Sequence, residues 1–138
     1  MLFSTEGDEL LCLRPTSIPS VLFRKRLLNT KSVSLNDLMA ADAVAIGTPD
    51  YYSYVAGTIK TFFDDLYLWD KAGKAVIGKP AALFYSHGGG GLVKQSLEKF
   101  GLRFFKQVGE TIERGPANAE EAQKKGRALG RELAQKVS

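Results

Sequence analysis

Residues 43–57 read Ala-Val-Ala-Ile-Gly-Thr-Pro-Asp-Tyr-Tyr-Ser-Tyr-Val-Ala-Gly, and this order decides the fold. Ala43 to Ile46 form a short, fully apolar run bounded by Asp42 and Gly47, the pattern of a strand buried on both faces. From Ala56 onward, Ile59, Phe62, Phe63 and Leu66 recur at helical spacing, with Lys60, Thr61, Asp64 and Asp65 on the other face. A buried strand therefore runs through a loop into an amphipathic helix. The loop carries Tyr51, Tyr52 and Tyr54. Each ring is half apolar and half polar, so the three either cap the strand ends or offer a flat surface to a flat ligand.

The same alternation extends in both directions. Upstream, Ser34-Leu35-Asn36-Asp37 has the form of a capping box and opens a short helix to about Ala41. Downstream, Ala81 to Tyr85 is a second buried run that empties into Ser86-His87 and four glycines. Leu92, Val93, Leu97 and Phe100 predict a helix, and Phe104 to Val108 a third strand. Gly115-Pro116 makes a turn. Ala122, Leu129, Leu133 and Val137 lay one stripe on a C-terminal helix, with Gly126 and Gly130 beside it, where a missing side chain lets the helix approach a sheet. No linker or repeat divides the chain, so residues 1–138 are expected to form one α/β domain with a parallel sheet covered on both faces. Such sheets bind ligands at the edge where strands end and helices begin. The loops after Ile46 and after Tyr85 both fall on that edge.

Composition narrows the classes. Cys12 is the single cysteine, which excludes an internal disulfide and a multi-cysteine metal or cluster site. No run approaches the roughly 18 apolar residues of a membrane span, and the start lacks a basic leader with a long apolar core, so a cytoplasmic protein is expected. The net charge of +4 is concentrated in residues 124–136 and in Arg24, Lys25 and Arg26. No aromatics interleave with these cations in the manner of a nucleic-acid surface, and a solvated helix face accounts for most of them. An acidic redox partner or an anionic cofactor would also suit the charge.

Three motifs fail on their own chemistry. Residues 73–80, GKAVIGKP, match a phosphate-binding P-loop until the last position, where Pro80 stands in place of the magnesium-binding hydroxyl. Ser86-His87-Gly88-Gly89 resembles a lipase oxyanion loop, yet no G-x-S-x-G nucleophile elbow exists to face His87. Asp64 and Asp65 sit within a helix on its polar face, not at strand ends where a phosphoacceptor pair would hold a metal. The glycine run remains. Glycines let backbone N–H groups approach a ligand closely. One aromatic and one glycine-rich loop on a single sheet edge suit a planar heteroaromatic whose polar rim is read by backbone groups, and a flavin ring fits.

GTPDYYSYVAGTIKTFFDDL, followed by GKPAALFYSHGGGG, resembles the flavodoxin-like family of FMN proteins. The likeness covers about residues 26–138. It is nearest to the branch holding flavodoxin-like domain proteins and NAD(P)H:quinone oxidoreductases of the tryptophan-repressor-binding-protein type. The resemblance implies a three-layer doubly wound sheet that binds FMN non-covalently. It implies, by position, that Thr48, Pro49, Asp50, Tyr51 and Tyr52 line one side of the flavin and that Ser86, His87, Gly88, Gly89 and Gly90 line the other, with Tyr54 packing. Trp69 falls near where quinone-reductase relatives place an aromatic beside the substrate.

The front departs from this family. Phe3-Ser4-Thr5-Glu6-Gly7 resembles the end of a first strand and the start of a phosphate-binding loop. The strand is short or missing, Glu6, Asp8 and Glu9 bring negative charge to that loop, and Pro15 and Pro19 interrupt the place of a first helix. Residues 1–25 are thus atypical. Two functions follow from the resemblance. One is FMN-dependent electron transfer, either to a redox partner protein or, in an enzyme, from NAD(P)H to a quinone, with a second subunit completing the pocket. The other is a non-catalytic scaffold that has lost tight FMN binding and acts through protein contacts.

Overall fold

The computed structural model describes residues 9–15 and 23–137. Strands β1 (Glu9–Pro15) and β2 (Phe23–Asn29) come first, then a single 3-10 turn (Thr30–Ser32) and helix α1 (Leu35–Ala40). Strand β3 (Ala43–Pro49), helix α2 (Gly57–Lys71), strand β4 (Pro80–Ser86) and helix α3 (Val93–Phe104) follow. The chain closes with β5 (Lys106–Gln107), β6 (Ile112–Arg114) and α4 (Ala119–Gln135). The strands form one sheet in the order β2-β1-β3-β4-β5, with β6 also paired to β4. This is the spatial order of the flavodoxin-like doubly wound sheet.

The expected run from strand to tyrosine loop to helix is present. Ser34 Oγ accepts the Asp37 N–H at 3.2 Å while Asp37 Oδ2 accepts the Ser34 N–H at 3.0 Å, so the capping box closes at the start of α1. Side-chain alternation along β3 and β4 divides the core in two. Val44, Ile46, Ala81, Leu83 and Tyr85 face α1, α2 and α3. Ala43, Ala45, Ala82 and Phe84 face Leu129 and Leu133 of α4. The α4 face is lined by small residues, and Gly47 continues it. A Cβ on Gly47 would lie 2.0 Å from the Phe84 ring, so that ring occupies the space a side chain would take.

Two expectations are corrected. The sheet is mixed: β3, β4, β5 and β6 are parallel, but β1 runs antiparallel to both its neighbours. A parallel β1–β2 pair would need a crossover of a dozen or more residues. Residues 16–22 are too few for one, and Pro19 lies among them. Because β2 reaches β3 through α1, β2 and β3 run the same way, and a strand between them that pairs tightly with β2 must run against both. The proposed third strand is also shorter than its apolar residues suggest. Phe104 is the last residue of α3, where it completes a buried stripe with Val93, Leu97 and Gly101. The edge strand is split into Lys106–Gln107 and Ile112–Arg114. The suggested phosphate loop, Phe3 to Gly7, lies outside the described residues. No described helix is long and apolar enough to cross a membrane.

Candidate functional site

Three loops meet at the C-terminal edge of the parallel strands. The first leaves β3. Thr48 is buried, and its hydroxyl accepts the Ala56 N–H at 3.1 Å and donates to the Pro49 carbonyl at 2.9 Å, which folds the loop back toward α2. Thr48 is thus a brace of the loop rather than part of its surface. Tyr51 and Tyr54 then pair across a tight turn through two backbone hydrogen bonds of 3.1 Å. The residues between them, Tyr52 and Ser53, have φ of 54° and 67°, the backbone of a type I′ hairpin turn. Tyr52 stands at its tip, fully exposed at 103%. Tyr54 meets Phe100 edge-on at 6.4 Å, and Phe100 stacks on Phe63 at 5.2 Å, so one tyrosine roots the turn in the core.

The second loop leaves β4 and is tied to the first, since the Asp50 N–H donates to the Ser86 carbonyl at 2.7 Å. His87 follows. Its Nε2 lies 2.7 Å from Glu113 Oε1, its backbone N–H donates to the Arg114 carbonyl at 3.0 Å, and its ring stacks near Tyr85. The imidazole is held between the backbones of Gly91 and Gly115, where a Cβ would come within 3.5 Å and 3.1 Å of it. His87 Nδ1 is buried with no hydrogen-bond partner among the described residues. The backbones of Gly88 and Gly89, by contrast, face open space.

The third loop, after β6, was not foreseen as part of the site. Asn118 fastens it: its Oδ1 accepts the Gly115 N–H at 2.7 Å and its Nδ2 donates to the Glu113 carbonyl at 3.2 Å. The three loops enclose an open cleft of about 280 Å³. Pro49, Asp50 and Tyr51 form one wall, Ser86, His87 and Gly88 the floor, and Arg114, Gly115, Pro116 and Ala119 the far wall. Of the ten residues expected to contact the flavin, six therefore share one cleft, while Thr48, Tyr52, Gly89 and Gly90 lie outside its lining. Trp69 is remote from it. Helix α2 carries it about 18 Å from Gly57 at 1.5 Å per residue, and there it packs half-buried against the core.

Beneath the cleft, Tyr85 is 4% exposed. Burial holds its phenol above the usual tyrosine range, and the charges of Glu113, Glu98 and Asp50 and a hydrogen bond with Glu113 add to the effect. The tyrosine keeps its proton, and the anionic side chains gather on this side of the sheet.

Residues 33–111, which carry β3, α2, β4, α3 and two of the three loops, match the family model described as NADPH-dependent FMN reductase. The chain belongs to this family. Its fold is similar to a flavodoxin from the domain Archaea, with a TM-score of 0.66 at 20% identity over 79% of this chain and 74% of the other. It is similar to the rubredoxin oxygen:oxidoreductase of the anaerobe Desulfovibrio gigas, with a TM-score of 0.63 at 14% identity over 80% of this chain and 27% of that one. An NADPH-quinone reductase from P. pentosaceus gives a TM-score of 0.51 at 15% identity, over 80% of this chain and 75% of its own. At these identities the likenesses speak to the fold. As in other doubly wound sheets, the cleft of this FMN reductase family member opens where the parallel strands end.

The cleft fits a flavin ring in three respects. It is open on one side, Gly88 in its floor presents backbone to a ligand, and one of its lining residues, His87, has a buried Nδ1 with no hydrogen-bond partner among the described residues. The amides of Gly88, Gly89 and Gly90 donate to no backbone carbonyl among the described residues.

Proposed function

We propose that this protein binds FMN non-covalently in the cleft between the tyrosine turn and the glycine loop, takes electrons from NAD(P)H, and passes them to a quinone. The observation that carries the reading is the pairing of Tyr51 with Gly88 across one open cleft, at the start of a loop whose amides at residues 88–90 donate to no backbone carbonyl among the described residues. FMN, when bound, supplies the redox chemistry. The protein's residues would hold and orient it. Tyr51 and Tyr52 offer aromatic faces to the ring, the amides of residues 88–90 offer donors to its polar rim, and the carboxylates near Tyr85 disfavour added negative charge on the flavin. Arg114 places a cation on the far wall, where an anionic donor such as NAD(P)H would approach.

The test is direct. Purified protein is mixed with FMN, passed through gel filtration, and examined by visible absorbance. Co-elution of flavin with the protein supports the reading, whereas flavin that elutes wholly apart from it refutes FMN binding and leaves the scaffold function. NAD(P)H oxidation that accelerates on adding a quinone supports the reductase, and oxidation that responds only to a redox protein replaces it with a carrier.

A further inference from the structure

We propose that Asp50 is a positioning residue that joins the tyrosine turn and the glycine loop into one unit, so that a single carboxylate sets both walls offered to the ring. The proposal rests on the flavin reading of the cleft and deepens it. Its starting point is a local conflict. A type I′ turn favours Asn-Gly because both central residues have positive φ, yet here they are Tyr52 and Ser53, side chains that seldom adopt such backbone. The turn sequence opposes the turn, so support must come from elsewhere.

Asp50 provides it. Its Oδ1 accepts the Ser53 N–H at 2.7 Å, closing the loop around the strained pair. Its other oxygen, Oδ2, accepts the Val93 N–H at 3.2 Å, 43 residues away, at the first position of α3. Among the described residues that helix has no other side-chain cap: its N-cap is Leu92, which offers none. A carboxylate at a helix start is favoured by the helix dipole as well as by the free N–H groups. A Cβ on Gly90 would lie 3.4 Å from the same Oδ2, so the glycine loop closes directly over the carboxylate. Aspartate meets both demands because it accepts through two oxygens. Asparagine has only one acceptor oxygen, and its amide would face an N–H. With Asp50 seated there, the α3 N-terminus is already answered by an anion.

The experiment compares wild type, Asp50→Asn, Asp50→Ala and the double variant Asp50→Ala/Ser53→Gly. It reads amide hydrogen exchange at Ser53 and Val93 without FMN, and FMN affinity by quenching of flavin fluorescence. Asp50→Ala is expected to speed exchange at both amides and to weaken FMN binding about tenfold, the scale of one lost charge-assisted hydrogen bond. Asp50→Asn, which keeps one acceptor, should speed exchange at Val93 while sparing Ser53. Because glycine accepts positive φ freely, Ser53→Gly should restore part of the FMN affinity in the alanine background without restoring Val93. Unchanged exchange at either amide in Asp50→Ala would overturn the coupling, and so would failure of Ser53→Gly to recover affinity. If the wild type binds no FMN, the flavin reading falls while the exchange measurements still decide whether Asp50 joins the loops.

Discussion

Replacing Gly47 with alanine tests whether the ligand edge is set by the close fit of β3 against β4. The new Cβ would lie 2.0, 2.2 and 2.7 Å from three carbons of the Phe84 ring. Ordinary carbon contacts lie near 3.5–4.0 Å, so the ring must retreat by roughly 1.5–2 Å. It has little room to do so, because Phe84 is 8% exposed and packs in the cluster that contains Ile112, Leu129 and Leu133. Overpacking of this kind costs about 1–3 kcal/mol. The backbone at Gly47 does not have positive φ, so alanine also recovers about 0.4–1 kcal/mol by restricting the unfolded chain. The net loss is about 1–2 kcal/mol, a fall in Tm of roughly 3–6 °C for a chain of this length. Denaturant titration would measure the loss directly. Phe84→Leu alone should cost about 1–2 kcal/mol, and the double variant should cost less than the sum by about 1 kcal/mol, because the smaller side chain gives the new methyl room. Gly47 precedes Thr48, and Phe84 lies two residues before Ser86, so Gly47→Ala alone should also weaken FMN binding. A Gly47→Ala protein as stable as wild type, or strictly additive single and double variants, would refute the reasoning.

Tyr52→Ala should leave stability unchanged, since the side chain is fully exposed, but should weaken FMN binding roughly two- to twelvefold if the ring supplies about 0.5–1.5 kcal/mol of stacking. Fluorescence titration with FMN measures it. Glu113→Gln removes one of the charges that holds the buried Tyr85 phenol protonated, so tyrosinate absorbance should appear at lower pH than in wild type. The folded-state pKa of Tyr85 is raised above the usual tyrosine value of 10.0, so its contribution to stability is present below that pH and is lost as pH climbs through the folded value. The variant should therefore lose less stability over that alkaline range, as thermal melts at a series of pH values would show. Asn118→Ala strips the loop after β6 of bonds to Gly115 and Glu113 and should cost about 1–2 kcal/mol in denaturant unfolding.

The central part of this fold was legible because its signals are long and local. Ala43–Ile46 and Ala81–Tyr85 are unbroken apolar runs, and the stripe Ile59, Phe62, Phe63, Leu66 leaves one reading for α2. The capping box at Ser34 likewise needs only four residues. The edge was harder to read. Of the residues in β5 and β6, only Ile112 is buried, and the phenylalanines beside β5 serve the end of α3 instead. This is why the far wall of the cleft, from Arg114 to Ala119, was not anticipated. The one sequence signal was Gly115-Pro116, which marked a turn without showing what it faced. The place of β1 was missed for another reason: the resemblance ends the first strand near Phe3 and puts a helix after it, whereas Glu9–Pro15 forms a strand that turns back against β2. The role of Asp50 was invisible for a different reason: its second partner is 43 residues away, and nothing in the aspartate itself names Val93. Trp69 shows the opposite hazard, a residue whose place in the family resemblance suggested a substrate contact and whose helix carries it to the core.

The tyrosine and glycine walls of the cleft come from one uninterrupted stretch, β3 through the start of α3, while the antiparallel β1–β2 hairpin contributes no lining residue among those described. A crossover unit of this kind closes its own hydrophobic layer between α2, α3 and two neighbouring strands. Cooperative units of native proteins open separately and at different free energies, and they often coincide with such motifs. A sequence change in β1 therefore reaches the tyrosine loop through β3, whose Gly47 pairs with Glu9, and reaches the glycine loop only through β4, one strand further on.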